Sequence, residues 1–168
     1  MPGRIHRYLA DDHARLDALL ERAVARPDAI EATSYAEFRR GLLRHISIEE
    51  KILIPAAQRC SGTRPSMADK LRLDHGALTS LMVPSPSPGG IAAIRAILAA
   101  HNPLEEGPGG LYETCEQLSA AEADELLERM KSAPEVRVLP HNDGPGVADA
   151  MRRALAKAGY NLEDFILP

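Results

Sequence analysis

Six positions in the 168-residue chain stand out for their chemistry: His13, His45, Glu49, His75, His101 and Glu105. His45 and Glu49 are four residues apart, and so are His101 and Glu105. On an α-helix such positions differ by about 40° around the axis and share a face. Each pair therefore presents an imidazole and a carboxylate to one side, and His13 and His75 each add a lone imidazole. Together they offer neutral nitrogen donors and two anions, a set suited to borderline metals such as iron, manganese or zinc. A carboxylate has two oxygens, so Glu49 and Glu105 can bridge two metals while the histidines cap them in pairs. The surroundings support this reading. His45 is flanked by Leu42, Leu43, Ile46 and Ile48, and His75 lies between Leu71 and Leu78. A carboxylate in such apolar company is costly unless it is paired or bound to metal.

A single His-x-x-x-Glu carries little weight, because in a helical chain it is commonly a solvated pair. The order of the elements carries the argument. Asp12-His13 is followed by Ala-Arg-Leu, and Asp74-His75 by Gly-Ala-Leu. Later in each half comes a His-x-x-x-Glu-Glu, at His45–Glu50 and His101–Glu106. The chain thus reads as a weak internal repeat, lone histidine then paired histidine, twice over. Asp12 and Asp74 are read as solvated helix charges. Neighbours on a helix point about 100° apart, which makes these aspartates poor co-ligands. Support of a ligand from outside the metal shell is the alternative.

The elements that must position these residues are helices. Strand alternation is nearly absent, and Ala, Leu, Glu and Arg favour helix. A first helix is expected from about Arg4 to Ala25, with Ile5, Leu9, Leu16, Leu19, Leu20 and Val24 at helical spacing. A second runs from about Ser34 to Arg59, capped by Thr33 or Ser34 with Glu37 completing a capping box. Its inner stripe is Phe38, Leu42, Leu43, Ile46, Ile52 and Leu53, and Pro55 should kink it. A third covers about Ser66 to Met82. PSPSPGG at 84–90 reads as a loop, and a fourth helix begins near Gly90. Pro103 and GPGG at 107–110 interrupt that helix, which resumes at LYETCEQL. Another helix starts at Ser119. PEVRVLPHNDGPG is extended, and a short helix, VADAMRRALAKAGY, ends at Gly159. The expected fold is all-α: an up-down-up-down four-helix bundle over residues 1–133, with a C-terminal extension over 134–168.

Composition narrows the function classes. The net charge is −4 with signs interspersed, which argues against nucleic acid as a partner. No run approaches the roughly 18 apolar residues of a membrane span. The N-terminus is charged where a signal peptide is apolar, so the expected location is the cytoplasm. Cys60 and Cys115 are too far apart for a CxxC motif or a recognised zinc pair and read as reduced thiols.

The segments DDHARLDALL at 11–20, LLRHISIEEKILIP at 42–55, LDHGALTSLM at 73–82 and AAHNPLEEGPGGLY at 99–112 resemble the hemerythrin-like, or HHE cation-binding, family. The ordered set is specific, whereas any one element is not. The resemblance implies a four-helix bundle holding two non-haem, oxygen-bridged irons. By position, His13 and His45 would bind one iron, His75 and His101 the other, and Glu49 and Glu105 would bridge them. One departure matters. Oxygen-carrying hemerythrins have a further histidine one helical turn from the third-helix histidine, where this chain has Leu71 and Thr79. Water, or a side chain such as Glu50, Glu106, Tyr112, His6 or His141, would fill that place.

The resemblance implies binding or sensing of a small diatomic ligand, O2 or NO. The alternative is a di-iron redox enzyme that consumes peroxide or NO, or supplies iron for repair of metal centres. A third reading is an iron-responsive regulator whose tail contacts a partner. Turnover would require an external electron donor, since no reductase module is present.

Overall fold

The computed structural model describes residues 2–165. Among these residues every regular element is a helix or helical turn, and the only β pairing is an isolated bridge between Arg26 and Ala29. The helices are α1 (Arg4–Ala23), α2 (Ala32–Ile48), α3 (Ile54–Ser61), α4 (Ala68–Leu81), α5 (Pro88–Glu106), α6 (Leu111–Leu118), α7 (Ala123–Lys131) and α8 (Val147–Ala158). The described chain separates into two compact units. One holds the residues up to Ala68 together with Pro103–Val138, and the other holds Asp69–Asn102 together with the residues from Leu139 onward.

In the first unit α1 packs on α2, α6 and α7, and α3 packs on α6. The expected apolar stripe of α1 is buried at Ile5, Leu9, Leu16, Leu19 and Leu20. The start of α1 is capped from a distance, since the backbone amides of Ile5 and His6 donate to the Glu116 carboxylate of α6. The start of α2 differs from the expected capping box. Glu31, rather than Thr33 or Ser34, is the cap, and its carboxylate accepts from the amides of Thr33 and Ser34 at 2.8 and 2.7 Å. A carboxylate at this end also meets the positive pole of the helix dipole.

The kink expected near Pro55 takes a specific form. Between α2 and α3 the chain makes a π-helical turn over Glu49–Leu53. Pro55 has no amide hydrogen and its ring crowds the carbonyl one turn back. The wider turn absorbs this by letting the Ile54 amide reach the carbonyl of Glu49. The extra residue rotates the following helix, so the buried set becomes Leu53, Ile54, Ala56 and Ala57, while Ile52 is only half-buried. The turn itself packs against α7.

Pro103 is accommodated inside α5, which ends only at Glu106. The break falls at Gly107–Gly110, and α6 follows at Leu111. Gly110 is required here: a Cβ at that position would stand 2.6 Å from the carbonyl oxygen of Glu105 and 2.7 Å from that of Gly107. The turn is therefore a close backbone approach that brings α6 directly after the last turn of α5.

The second unit is built from α4, α5 and the C-terminal residues. α5 starts at Pro88, inside the stretch read as loop, because proline at a first helical position loses no hydrogen bond and has its φ preset. Ile91, Ile94, Ile97 and Leu98 of α5 are buried, as are Leu71, Ala77, Leu78 and Leu81 of α4. The C-terminal segment is tied to this unit. The Asn142 amide donates to the Val83 carbonyl at 3.0 Å, and the Ser85 amide and hydroxyl both donate to Asp143. Leu155, Ala158 and Leu162 are buried, and α8 ends at Gly159 with φ 88°, as its sequence predicts.

Candidate metal centre

Within the first unit His13, His45, Glu49 and Glu105 converge. Each offers one ligand atom, all of these atoms lie within 4.8 Å of one another, and all four residues are buried. His13 comes from the inner face of α1, His45 from α2, Glu49 from the first residue of the π-turn, and Glu105 from the last turn of α5. His45 Nε2 is 3.1 Å from Glu49 Oε1, and His13 Nε2 is 3.4 Å from Glu105 Oε2. Helical spacing places His45 beside Glu49. The π-turn begins with Glu49, where the chain departs from α geometry.

A fifth group stands among these four. The fully buried Tyr112 of α6 donates its hydroxyl to Glu49 Oε1 at 2.6 Å and lies 3.1 Å from Glu105 Oε2. The same oxygen is 3.1 Å from His45 Nε2 and 3.2 Å from His13 Nε2. Tyr112 is one of the residues offered by the sequence for the place vacated beside His75. The structure sets it with His13, His45, Glu49 and Glu105.

Both histidines of this cluster are held from behind. The Nδ1–H of His45 donates to Asp12 Oδ2 at 2.9 Å, and the Nδ1–H of His13 donates to Glu106 Oε1 at 2.5 Å. A carboxylate on Nδ1 fixes the tautomer and turns the Nε2 lone pair toward the ligand side, the arrangement that supports metal-bound histidine. Asp12 is therefore not a solvated charge. Burial raises its pKa, but the hydrogen bonds from His45 and Arg15 outweigh this and lower it to about 2.

The electrostatics show what such a cluster demands. Burial alone would push His45 down, yet Glu49, Asp12 and Glu105 outweigh it and hold the imidazole up at about 10. Burial first, then the charges of Glu49 and Glu105, push the Tyr112 phenol well above its ordinary range. Cys115 is raised to about 12 by burial and then by Glu49. Without metal, a protonated His45 and a neutral Tyr112 hydroxyl face two carboxylates of zero exposure. A cation would supply the balancing charge directly. The donor set of imidazole, carboxylate and phenol oxygens fits a metal ion of the iron, manganese or zinc kind.

In the second unit His75 of α4 and His101 of α5 are both buried, with ring centroids 4.8 Å apart at an interplanar angle of 66°. The Nδ1–H of His101 lies 3.3 Å from Asp74 Oδ2. Asp74 is fully buried and accepts from Lys70 Nζ at 2.5 Å. Burial would raise its pKa, but His101 and Lys70 lower it overall. Lys70 in turn donates to the Ala158 carbonyl at 3.3 Å and sits 4.9 Å from the centre of the Tyr160 ring. Leu71 is buried and Thr79 is exposed, so neither supplies a donor.

The remaining residues offered by the sequence for that place lie as follows. His6 of α1 is half-buried, its Nε2 2.8 Å from the Glu106 carbonyl, and its ring meets that of Tyr112 edge-on. Glu50 is 3.9 Å from Arg64, Glu106 holds His13, and His141 is exposed. A cavity of about 650 Å3 in the first unit is lined by His6, Glu106, Gly107 and Pro108 together with residues of α6. It reaches two residues that touch the cluster from outside.

The role of Tyr112 had a weak signal in the sequence, seven residues after Glu105, which the intervening glycines obscured. The Asp12 and Asp74 contacts had a stronger one, since both aspartates directly precede a histidine of the repeat. No curated protein and no solved structure matches the chain. Residues 4–83 match the model of the hemerythrin HHE cation-binding domain. The match spans His13, His45, Glu49 and His75, and with the buried histidine–glutamate cluster it identifies a metal-binding helical protein. Residues 4–83 are thus similar to the hemerythrin HHE cation-binding domain.

Proposed function

We propose that this is a non-haem di-iron protein that binds or senses a small diatomic ligand, O2 or NO. The observation that carries the reading is the buried cluster of His13, His45, Glu49 and Glu105 in a chain whose residues 4–83 match a cation-binding family. The second iron rests on the motif order, which repeats lone histidine then His-x-x-x-Glu and so provides His75 and His101. On this reading residues 1–133 form the up-down-up-down bundle and 134–168 an extension. The protein works in the cytoplasm, with no nucleic acid or membrane as partner.

Iron would supply a site of variable oxidation state at which a diatomic can bind. The chain's own residues do the rest. His13 and His45 are held with Nε2 inward by Glu106 and Asp12. Burial keeps bulk water from Glu49 and Glu105, which strengthens every charge interaction there. In the metal-free protein the Tyr112 hydroxyl donates to Glu49 Oε1 at 2.6 Å at the edge of the site.

The nitrogen donor missing beside His75, where the chain has Leu71 and Thr79, favours a second reading, a redox enzyme that consumes peroxide or NO with electrons from an external donor, or one that supplies iron for repair of metal centres.

Anaerobic titration of the ferrous protein decides between the two. Binding or sensing predicts a stable new absorption band with O2 or NO, at about two irons per chain, as expected for a carboxylate-bridged pair. Immediate decay to a ferric product together with peroxide turnover would favour the enzyme. Absence of bound iron after expression in iron-replete medium would overturn both.

A further inference from the structure

Tyr112 is in contact with all four donors of the first unit, and the motif pattern does not assign it. Its hydroxyl oxygen lies 2.6 to 3.2 Å from His13 Nε2, His45 Nε2, Glu49 Oε1 and Glu105 Oε2. Donors bound to one metal at about 2.1 Å and roughly at right angles stand about 3 Å apart. The phenol oxygen therefore keeps to each of the four the separation of a neighbouring ligand on the same ion. A tyrosine serving only to fill space would direct its hydroxyl to a single acceptor or to water.

The surrounding chain fixes this placement. Gly110 lets the backbone close on the carbonyls of Leu104, Glu105 and Gly107, and α6 starts at the next residue. The ring is fully buried, and His6 meets it edge-on. The hydroxyl has no room to withdraw into solvent.

From this geometry we infer that Tyr112 is itself a ligand, binding as phenolate to the metal held by His13, His45, Glu49 and Glu105. The inference rests on the metal-binding reading above and deepens it. On coordination the O–H bond breaks, the oxygen gives its electron pair to the metal, and the proton leaves for solvent. Glu49, which accepts the hydroxyl, is the first carrier. The ligand set then has two neutral imidazoles and three anionic oxygens. The phenolate adds a third negative charge to those of Glu49 and Glu105, which shifts the site toward ferric iron over divalent zinc or manganese. A centre biased toward the ferric state is a poor reversible oxygen carrier.

The test uses the full chain, loaded anaerobically with ferrous iron and oxidised with ferricyanide. The ferric protein should show a visible phenolate-to-iron charge-transfer band, and resonance Raman excitation within it should reveal ring modes of coordinated tyrosine. In Tyr112→Phe the band should vanish and iron affinity should fall by about tenfold or more, as loss of a ligand requires at least the effect of losing its support. Iron bound to the wild type without those Raman modes would overturn the inference and leave the metal reading standing. Persistence of the band in Tyr112→Phe would do the same. The wild-type spectrum decides even where Tyr112→Phe does not fold, and replacement of tyrosine by 3-fluorotyrosine should shift the band. Failure of the wild type to bind iron would overturn the metal reading and this inference with it.

Discussion

The two units answer the same sequence motif differently. In each, an Asp-His dipeptide on one helix precedes a histidine on a later helix, and in each the aspartate accepts from Nδ1 of that later histidine. Asp12 serves His45 in the first unit and Asp74 serves His101 in the second. The aspartates are then secured by different cations. Asp12 is partly exposed and is held by Arg15, one turn along its own helix, at 2.7 Å. Asp74 is fully buried and is held by Lys70, which is in turn engaged by the Ala158 carbonyl and the Tyr160 ring. Both carboxylates are fixed by a cation one turn away on the same helix, but only Lys70 is itself anchored by the far end of the chain. In the first a tyrosine hydroxyl also stands within reach of the histidine. A repeated motif thus sets which residues meet, while the packing around it sets how firmly they are held.

The strongest way to break this comparison is to remove the inner histidines. His45→Ala and His101→Ala should each lower iron from about two per chain to one or fewer, read by elemental analysis of the folded proteins. Full iron in either variant would remove that residue from the ligand set. Next in size are the supporting aspartates. Asp12→Asn and Asp74→Asn should each weaken metal affinity by about 10- to 100-fold with helicity retained, as loss of a carboxylate behind a metal-bound histidine typically does. Competition with a chelator measures this, and an effect confined to one variant would show that the two halves are not equivalent.

Alkaline pH tests the charged His45 in metal-stripped protein. The folded pKa of His45 is raised to about 10 from 6.5. Its charged form therefore contributes stability that is fully present below about pH 6.5 and lost as pH rises through about 10. The loss should be on the order of a few kcal/mol, measured by urea unfolding at stepped pH. Asp74 has its pKa lowered, so its contribution is lost only at the acid end, as pH falls below 3.8. Metal should flatten the alkaline slope, because it binds the neutral imidazole. A flat profile in the stripped protein would remove the charged His45 from the account. The smallest effect is expected at the cations. Lys70→Met should cost more metal affinity than Arg15→Met, because both cations are about half exposed but the Asp74 carboxylate is buried while that of Asp12 is partly exposed. Equal effects in the same chelator assay would show that burial of Asp74 has no consequence for its histidine.

Much of the first unit was legible from residue types and spacing. The apolar stripe of α1 faces inward as its period requires, and His45 and Glu49 share a face because they are one turn apart. The start of α2 was not legible in the same way. Ser34 and Glu37 have capping-box spacing, but Glu31 outcompetes them by accepting two amides. The bend at Pro55 was expected, whereas its form, a π-turn packed against α7, was not legible in the sequence.

The sequence by itself determined the donors, their helical faces, and the repeat that pairs a lone histidine with a His-x-x-x-Glu. Those are local properties, governed by the pitch of a helix and the chemistry of each side chain. Tertiary structure alone decided that Asp12 and Asp74 turn to histidines on other helices, and that Tyr112 stands among four donors. An adjacent residue points about 100° away on its own helix, which says where it leaves but not what it meets. What it meets depends on which helix packs there, and that is fixed by burial of the whole apolar surface.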